Sequence, residues 1–131
     1  MFNASRRALI QATGSGLVLV SAGASAQQRL LPGTVKIVVP FPPGGITDVL
    51  ARGLAQQMTS TLGTPVVVEN RAGANGSIGA TQVARAAPDG LTLLLGVTDT
   101  HAVNPAAMRT LAYDANRDFA PISNEIGRAH V

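Results

Sequence analysis

Residues 35–48 leave few folds open to this chain, because they pass from a strand through a tight turn into a helix. The apolar run Val-Lys-Ile-Val-Val predicts a strand, and the prolines of residues 40–43 end it. Gly44 and Gly45 then permit a turn with positive φ before an amphipathic helix that begins at Thr47. Free backbone N–H groups and the positive end of the helix dipole converge at such a junction, so it favours an anion.

The rest of the chain continues to alternate strands and helices. We expect helices over residues 47–62 and from Asn75 or Ser77 to about Ala87, strands over 65–69 and 91–96, and a polar loop over 97–105. Apolar residues four apart are expected to form the buried stripe of the first helix: Leu50, Leu54, Met58 and Leu62. The order β-α-β-α-β with short connections predicts an α/β fold built from parallel βαβ units.

Three segments follow the predicted strands and are expected to meet at one edge of the sheet. We call them segment A (residues 40–48), segment B (70–79) and segment C (97–104). The carboxyl ends of parallel strands share an edge, and ligands of open α/β sheets bind beyond it. Segment B resembles segment A in placing glycines before a helix N-terminus. Two anion-favouring turns on one edge predict the capture of a small acidic molecule.

Residues 1–26 have the organisation of a signal peptide. Arg6 and Arg7 supply its positive region, residues 8–23 are mostly apolar and small, and Ala-Ser-Ala at 24–26 is an A-x-A cleavage signal before Gln27. The arginine pair also fits a twin-arginine signal, so both export routes stay open. Polar residues interrupt the apolar run, which makes it a poor membrane span. The mature protein is therefore expected outside the cytoplasm, in the periplasm.

Composition excludes several classes of function. The chain has no Cys, which removes disulfides, thiolate catalysis and Cys-ligated metals. Aromatic residues make up 3% with no Trp, which argues against stacking platforms for sugars or bases. The net charge is +3, but two of the ten basic residues lie in residues 1–26, which leaves eight against seven acidic ones. No basic stripe remains, so we expect no nucleic-acid partner.

Two patterns in the sequence are partly typical of enzymes. The glycines of segment B follow G-x-x-G-x-x-G, which is not the dinucleotide fingerprint G-x-G-x-x-G. His101 lies close to Asp99, but Ser77, Thr98 and Thr100 have no nucleophile elbow around them. An exported α/β hydrolase remains the alternative function, and a fragment without activity is a third possibility.

Several short motifs together resemble the Bug-type solute receptors, the TctC-like substrate-binding proteins of tripartite tricarboxylate transporters. They are Pro-Phe-Pro-Pro-Gly-Gly (40–45) with Thr-Asp (47–48), Val-Glu-Asn-Arg (68–71), Gly-Ala-Asn-Gly (73–76) with Gly79, Ala-Pro-Asp-Gly-Leu-Thr-Leu-Leu (87–94), Thr-His-Ala-Val-Asn-Pro (100–105), Tyr-Asp (113–114) and Asp-Phe-Ala-Pro (118–121). Their order and spacing cover residues 34–123. Leu91 stands where the family pattern more usually has Tyr.

The resemblance implies a periplasmic-binding-protein-like domain of type II. The ligand would be a small carboxylate, an organic acid or an amino-acid-like molecule, held by backbone amides, hydroxyls and water. No catalytic residue, cofactor or metal is implied. Partners would be the permease subunits in the membrane, with a receptor that is monomeric at full length. Residues 27–123 would form the N-terminal part of domain 1, truncated before the second domain. Residues 124–131 would be a non-native tail, since Ile-Gly-Arg-Ala-His-Val matches a translated sequencing adapter.

The expected ligand-binding residues all lie on segments A, B and C: Phe41, Gly44, Gly45, Thr47, Asp48, Asn75, Gly76, Thr98, Thr100 and His101. Two of them have competing roles. Phe41 either lines the cleft or packs in the core. Asp48 either compensates the dipole of the helix that follows or orients an amino group of the ligand or a water. Arg71 is expected to pair with Glu69, Asp99 or solvent more readily than with a ligand.

Overall fold

A computed structural model describes residues 31–124 and shows a three-layer α/β arrangement within them. The strands are β1 (Val35–Val39), β2 (Val66–Asn70) and β3 (Thr92–Leu94), and the helices are α1 (Ile46–Leu62), α2 (Ser77–Ala84) and α3 (Asn104–Ala107). A short turn, Ala74–Gly76, precedes α2, and a π-helical turn, Asp99–Val103, leads into α3. The expectation of an α/β fold built from parallel βαβ units is confirmed. The predicted signal peptide and residues 125–131 lie outside the described residues.

The strands form a parallel sheet in the order β2-β1-β3. Strand β1 is central, which explains why its sequence is apolar apart from Lys36, because both of its faces are covered. Ile37 and Val39 face α1 and form the core with Ala51, Ala55 and Leu95. By alternation Val38 points to the opposite face, where it is fully buried, and α2 contacts β1 and β3.

The buried face of α1 differs from the predicted leucine stripe. Its most buried residues are Asp48, Ala51 and Ala55, whereas Leu50 is 40% exposed. Small alanines let the helix approach the sheet closely, and Leu54 and Met58 then pack at the side of that contact. The periodicity predicted the helix correctly, but the residues that face the sheet lie one position after the predicted leucines.

Other boundaries also differ from expectation. Helix α2 ends at Ala84, short of Ala87, and its N-cap is Gly76 with no side-chain cap from Asn75 or Ser77. Strand β3 spans three residues inside the predicted range 91–96. The predicted polar loop over 97–105 is mostly helical. No helix within residues 31–124 is long and apolar enough to cross a membrane.

Candidate functional site

Segment A forms the junction between β1 and α1. Gly44 has φ +87°, a conformation that favours glycine, but Gly45 is extended at φ −79° and ψ 172°. The expectation of positive φ therefore holds at Gly44 and is wrong at Gly45. Gly45 is the N-cap of α1 without a side-chain cap, so the amides of Gly45, Ile46 and Thr47 have no intrahelical acceptor.

The Asp48 carboxylate holds this junction together through hydrogen bonds. Its Oδ2 accepts hydrogen bonds from the backbone N–H of Gly44 and from Nε of Arg52, both at 2.9 Å. Its Oδ1 accepts one from Nδ2 of Asn70 at 2.9 Å, and the same amide donates to the Phe41 carbonyl at 3.2 Å. The side chain of Asp48 is thus fully occupied by segment A, α1 and the end of β2.

These contacts keep Asp48 charged and neutralise its charge locally. The Arg52 guanidinium, followed by the Gly44 amide and the Asn70 side chain, holds the pKa of Asp48 well below its ordinary value. Asp48 is 4% exposed, so it does not reach solvent as a free acceptor. Of its two expected roles, support of the helix start is the one that its contacts describe.

Segment C is organised around the buried Thr100. Its hydroxyl donates to the Val97 carbonyl at 2.9 Å and accepts from the Val97 N–H at 3.1 Å, while Nδ1 of His101 lies 2.9 Å away. The Tyr113 hydroxyl donates to the Thr100 carbonyl at 2.6 Å. Thr100 is 0% exposed, so its hydrogen bonds shape the turn from inside.

The His101 ring lies on the outer side of segment C. A Cβ built on Gly96 would lie 2.8 Å from its Cε1 atom, so the ring covers that glycine. On its other side the ring meets Phe119, with centroids 5.1 Å apart. Phe119 in turn makes an edge contact with Tyr113 at 5.7 Å. His101 thus takes part in an aromatic cluster.

Segment B connects the other two segments. Its turn is closed by a hydrogen bond from the Gly76 N–H to the Gly73 carbonyl at 3.0 Å. The buried Gly76 leaves no room for a side chain, because a Cβ would lie 2.9 Å from Cγ2 of Thr100 and 3.2 Å from Cβ of Pro40. The Asn75 side chain donates to Oδ1 of Asn104 at 3.0 Å. Segment B therefore packs against segments A and C at once.

A cleft of about 470 Å³ opens between segments A and C. It is lined by Phe41, Pro42, Pro43, Gly45, Ile46, Thr47, Val97 and Asp99. No cationic side chain of residues 31–124 is among the lining residues. Two arginines, of α1 and of segment B, form ion pairs instead, Arg52 with Asp48 and Arg71 with Glu69. The charged side chain that lines the cleft is the carboxylate of Asp99, and the start of α1 adds the positive end of a helix dipole.

The expected site residues divide into three groups by position. Phe41, Gly45 and Thr47 line the cleft, and Phe41 also packs against the core, so both of its expected roles are present. Gly44, Asp48 and Thr100 do not line the cleft but form hydrogen bonds within the segments that do, Gly44 with Asp48 and Thr100 with Val97. Thr98 is exposed between the lining residues of segment C, while Asn75, Gly76 and His101 do not line the cleft.

Two supporting residues were not among the expected site residues. Asn70 and Asn104 each hydrogen-bond a segment far away in sequence, at separations of 29 residues from Phe41 and from Asn75 respectively. Both occur within the motifs that carry the family resemblance, but no local pattern distinguishes them from surface asparagines.

A cleft at the carboxyl edge of a parallel sheet is where open α/β domains, periplasmic binding proteins among them, bind small ligands. Residues 50–131 match the family described as tripartite tricarboxylate transporter family receptor. The chain is 48% identical over 90 residues to protein BugT of Bordetella pertussis. The matched region is 68% of this chain and 28% of BugT.

Solved structures agree with this match. MatC from Rhodopseudomonas palustris, with bound malate, is 48% identical with a TM-score of 0.66 over 69% of this chain and 31% of MatC. The periplasmic binding protein BugD is 47% identical with a TM-score of 0.66 over 70% of this chain and 30% of BugD.

The chain belongs to the tripartite tricarboxylate transporter family of receptors. Its relatives are periplasmic solute-binding proteins and not enzymes, so the exported-hydrolase alternative finds no support among them. The chain spans about 30% of the length of these relatives.

Proposed function

We propose that this chain provides an anion-binding part of an extracytoplasmic receptor for a small carboxylate, which passes its ligand to the membrane subunits of a tripartite tricarboxylate-type transporter. The observation that carries the proposal is that Gly45, Ile46 and Thr47, the N-cap and first residues of α1, line the cleft together with Phe41 and Val97. Unpaired amides at a helix start bind a carboxylate without a cationic side chain.

The ligand contact proposed here is made mostly by the backbone. Gly45 at the N-cap has no side chain to cover its amide, and Thr47 adds a hydroxyl at the same helix end. MatC carries malate, a small dicarboxylate, and is 48% identical to this chain. We place the receptor in the periplasm, after removal of residues 1–26, because BugD is a periplasmic protein.

The test uses a full-length receptor in which residues 27–123 of this chain are joined to the remainder of MatC. Far-ultraviolet circular dichroism and a cooperative thermal transition establish that it folds. Titration calorimetry with malate, adipate and aspartate then measures affinity, and a bound ligand should raise the melting temperature. We expect at least one of the three to bind with a micromolar dissociation constant. A folded receptor that gives no binding heat with any of them would refute the proposal.

A further inference from the structure

The turn of segment B has an unusual backbone, because four consecutive residues have positive φ. The values are +132° at Gly73, +46° at Ala74, +52° at Asn75 and +82° at Gly76. Glycine adopts such angles freely, but alanine does so at a cost and asparagine with only partial tolerance. The turn therefore needs contacts from outside to hold its two central residues.

The side chain of Asn104 makes two hydrogen bonds to Asn75, one of these central residues. It is 1% exposed, and its Nδ2 donates to the Asn75 carbonyl at 2.8 Å. Its Oδ1 accepts from Nδ2 of Asn75 at 3.0 Å. The orientation of the amide is fixed, because a backbone carbonyl accepts only and must face the NH₂ group. Asn104 thus bonds both the main chain and the side chain of the central turn residue.

The turn held in this way supports the cleft. A Cβ on Gly76 would lie 2.9 Å from Cγ2 of Thr100 and 3.6 Å from Cζ of Phe41. Phe41 lines the cleft, and Thr100 hydrogen-bonds Val97, which lines its other side. A displacement of the turn would therefore loosen both walls.

We infer that Asn104 is a positioning residue, which locks the left-handed turn of segment B and thereby sets the spacing between segments A and C across the cleft. The effect on the cleft rests on the proposed function, whereas the effect on the turn does not.

The test measures hydrogen exchange in the full-length receptor without ligand. We expect Asn104→Ala to speed exchange of the two hydrogen-bonded amides of the turn, those of Gly76 and Ser77, by about tenfold, since two partly buried hydrogen bonds are lost. Exchange in β1 should stay unchanged. The matched control is Asn116→Ala, because the hydrogen bond of Asn116 in the described part of the chain comes from its backbone N–H. This control should leave both regions as they are.

A second substitution separates positioning from simple loss of packing. Ala74→Gly removes the backbone cost at φ +46°, so the Ala74→Gly and Asn104→Ala double variant should recover most of the protection in residues 72–78. A cavity left by the missing amide would not be repaired in this way. If Asn104→Ala does not fold, Asn104→Asp replaces it, because it keeps the size of the side chain and removes the NH₂ group that donates to the Asn75 carbonyl.

Unchanged exchange in residues 72–78, an equal rise in β1, or no recovery with Ala74→Gly would each overturn the inference. Malate titration of the same variants tests separately whether Asn104 affects the cleft. Weaker malate binding in Asn104→Ala that recovers with Ala74→Gly supports the link to the cleft. If the parent receptor binds no malate, the exchange result still decides the role of Asn104 in the turn.

Discussion

Two glycines in helices should respond in opposite ways to the same substitution. Gly53 lies in the middle of α1, and a Cβ built there meets nothing within 4 Å. Gly79 lies in α2, where a Cβ would lie 2.9 Å from the Arg71 carbonyl oxygen and 3.0 Å from Cα of Pro40. Both of these neighbours are backbone atoms, which cannot move aside as the end of a flexible side chain could.

The magnitudes follow from these surroundings. Alanine is favoured over glycine inside a helix by about 1 kcal/mol, and at Gly53 nothing opposes that gain. At Gly79 the added methyl overpacks the contact between α2, segment B and the end of β1, which costs about 1–3 kcal/mol. Because rigid backbone places the cost near its upper end, we expect Gly79→Ala to lose about 2 kcal/mol after the helix gain.

Thermal unfolding of the ligand-free full-length receptor, followed by circular dichroism, measures both variants. In a receptor of about 300 residues we expect Gly53→Ala to raise the melting temperature by about 1–2 °C and Gly79→Ala to lower it by about 3 °C. Gly53→Ala is the matched control, since it changes the same atoms on a helix without neighbours. A rise in melting temperature with Gly79→Ala would show that the close approach of α2 to Pro40 is not rigid, and the reasoning would fail.

The remaining predictions concern charge, ligand, export and solubility. The Lys36 ammonium beside Glu69 lowers the pKa of that carboxyl from 4.5 to about 2, so its stabilising contribution is present above about pH 4.5 and is lost as the pH falls towards 2. Urea unfolding across that range should show this loss, and Lys36→Met should reduce it. Gly45→Val should weaken malate binding by about tenfold or more, because Gly45 lines the cleft and a Cβ there would meet only the Pro42 carbonyl, at 3.8 Å, so a branched side chain has room to occupy the cleft; the melting temperature should fall only slightly, since valine is a poorer N-cap than glycine, and unchanged affinity in calorimetry would contradict the site. Intact-mass analysis of periplasmic material should find a chain that begins at residue 27, and retention of residues 1–26 there would exclude cleavage. The 131-residue chain expressed alone should be poorly soluble, because β2 and β3 are open sheet edges within residues 31–124; a soluble monomer with cooperative unfolding would contradict this.

The sequence was sufficient where a local pattern carries the information. The β-branched run of residues 35–39 predicts a central strand because apolar residues at every position except Lys36 need cover on both faces. Gly63 marks the end of α1 because its φ of +62° suits a glycine, and the helix ends there as expected. The alternation of strands and helices then determines the parallel sheet and the common edge of segments A, B and C.

The tertiary structure decided what each polar residue at that edge does. Asp48 has the same position at the start of a helix whether it faces a ligand or supports a loop, and only the arrival of Asn70 from β2 distinguishes the two. Likewise, nothing near Asn104 in the sequence shows that it meets Asn75. Hydrogen bonds between residues far apart in the chain depend on how the strands are arranged. The residues adjacent in sequence to each partner do not indicate that arrangement.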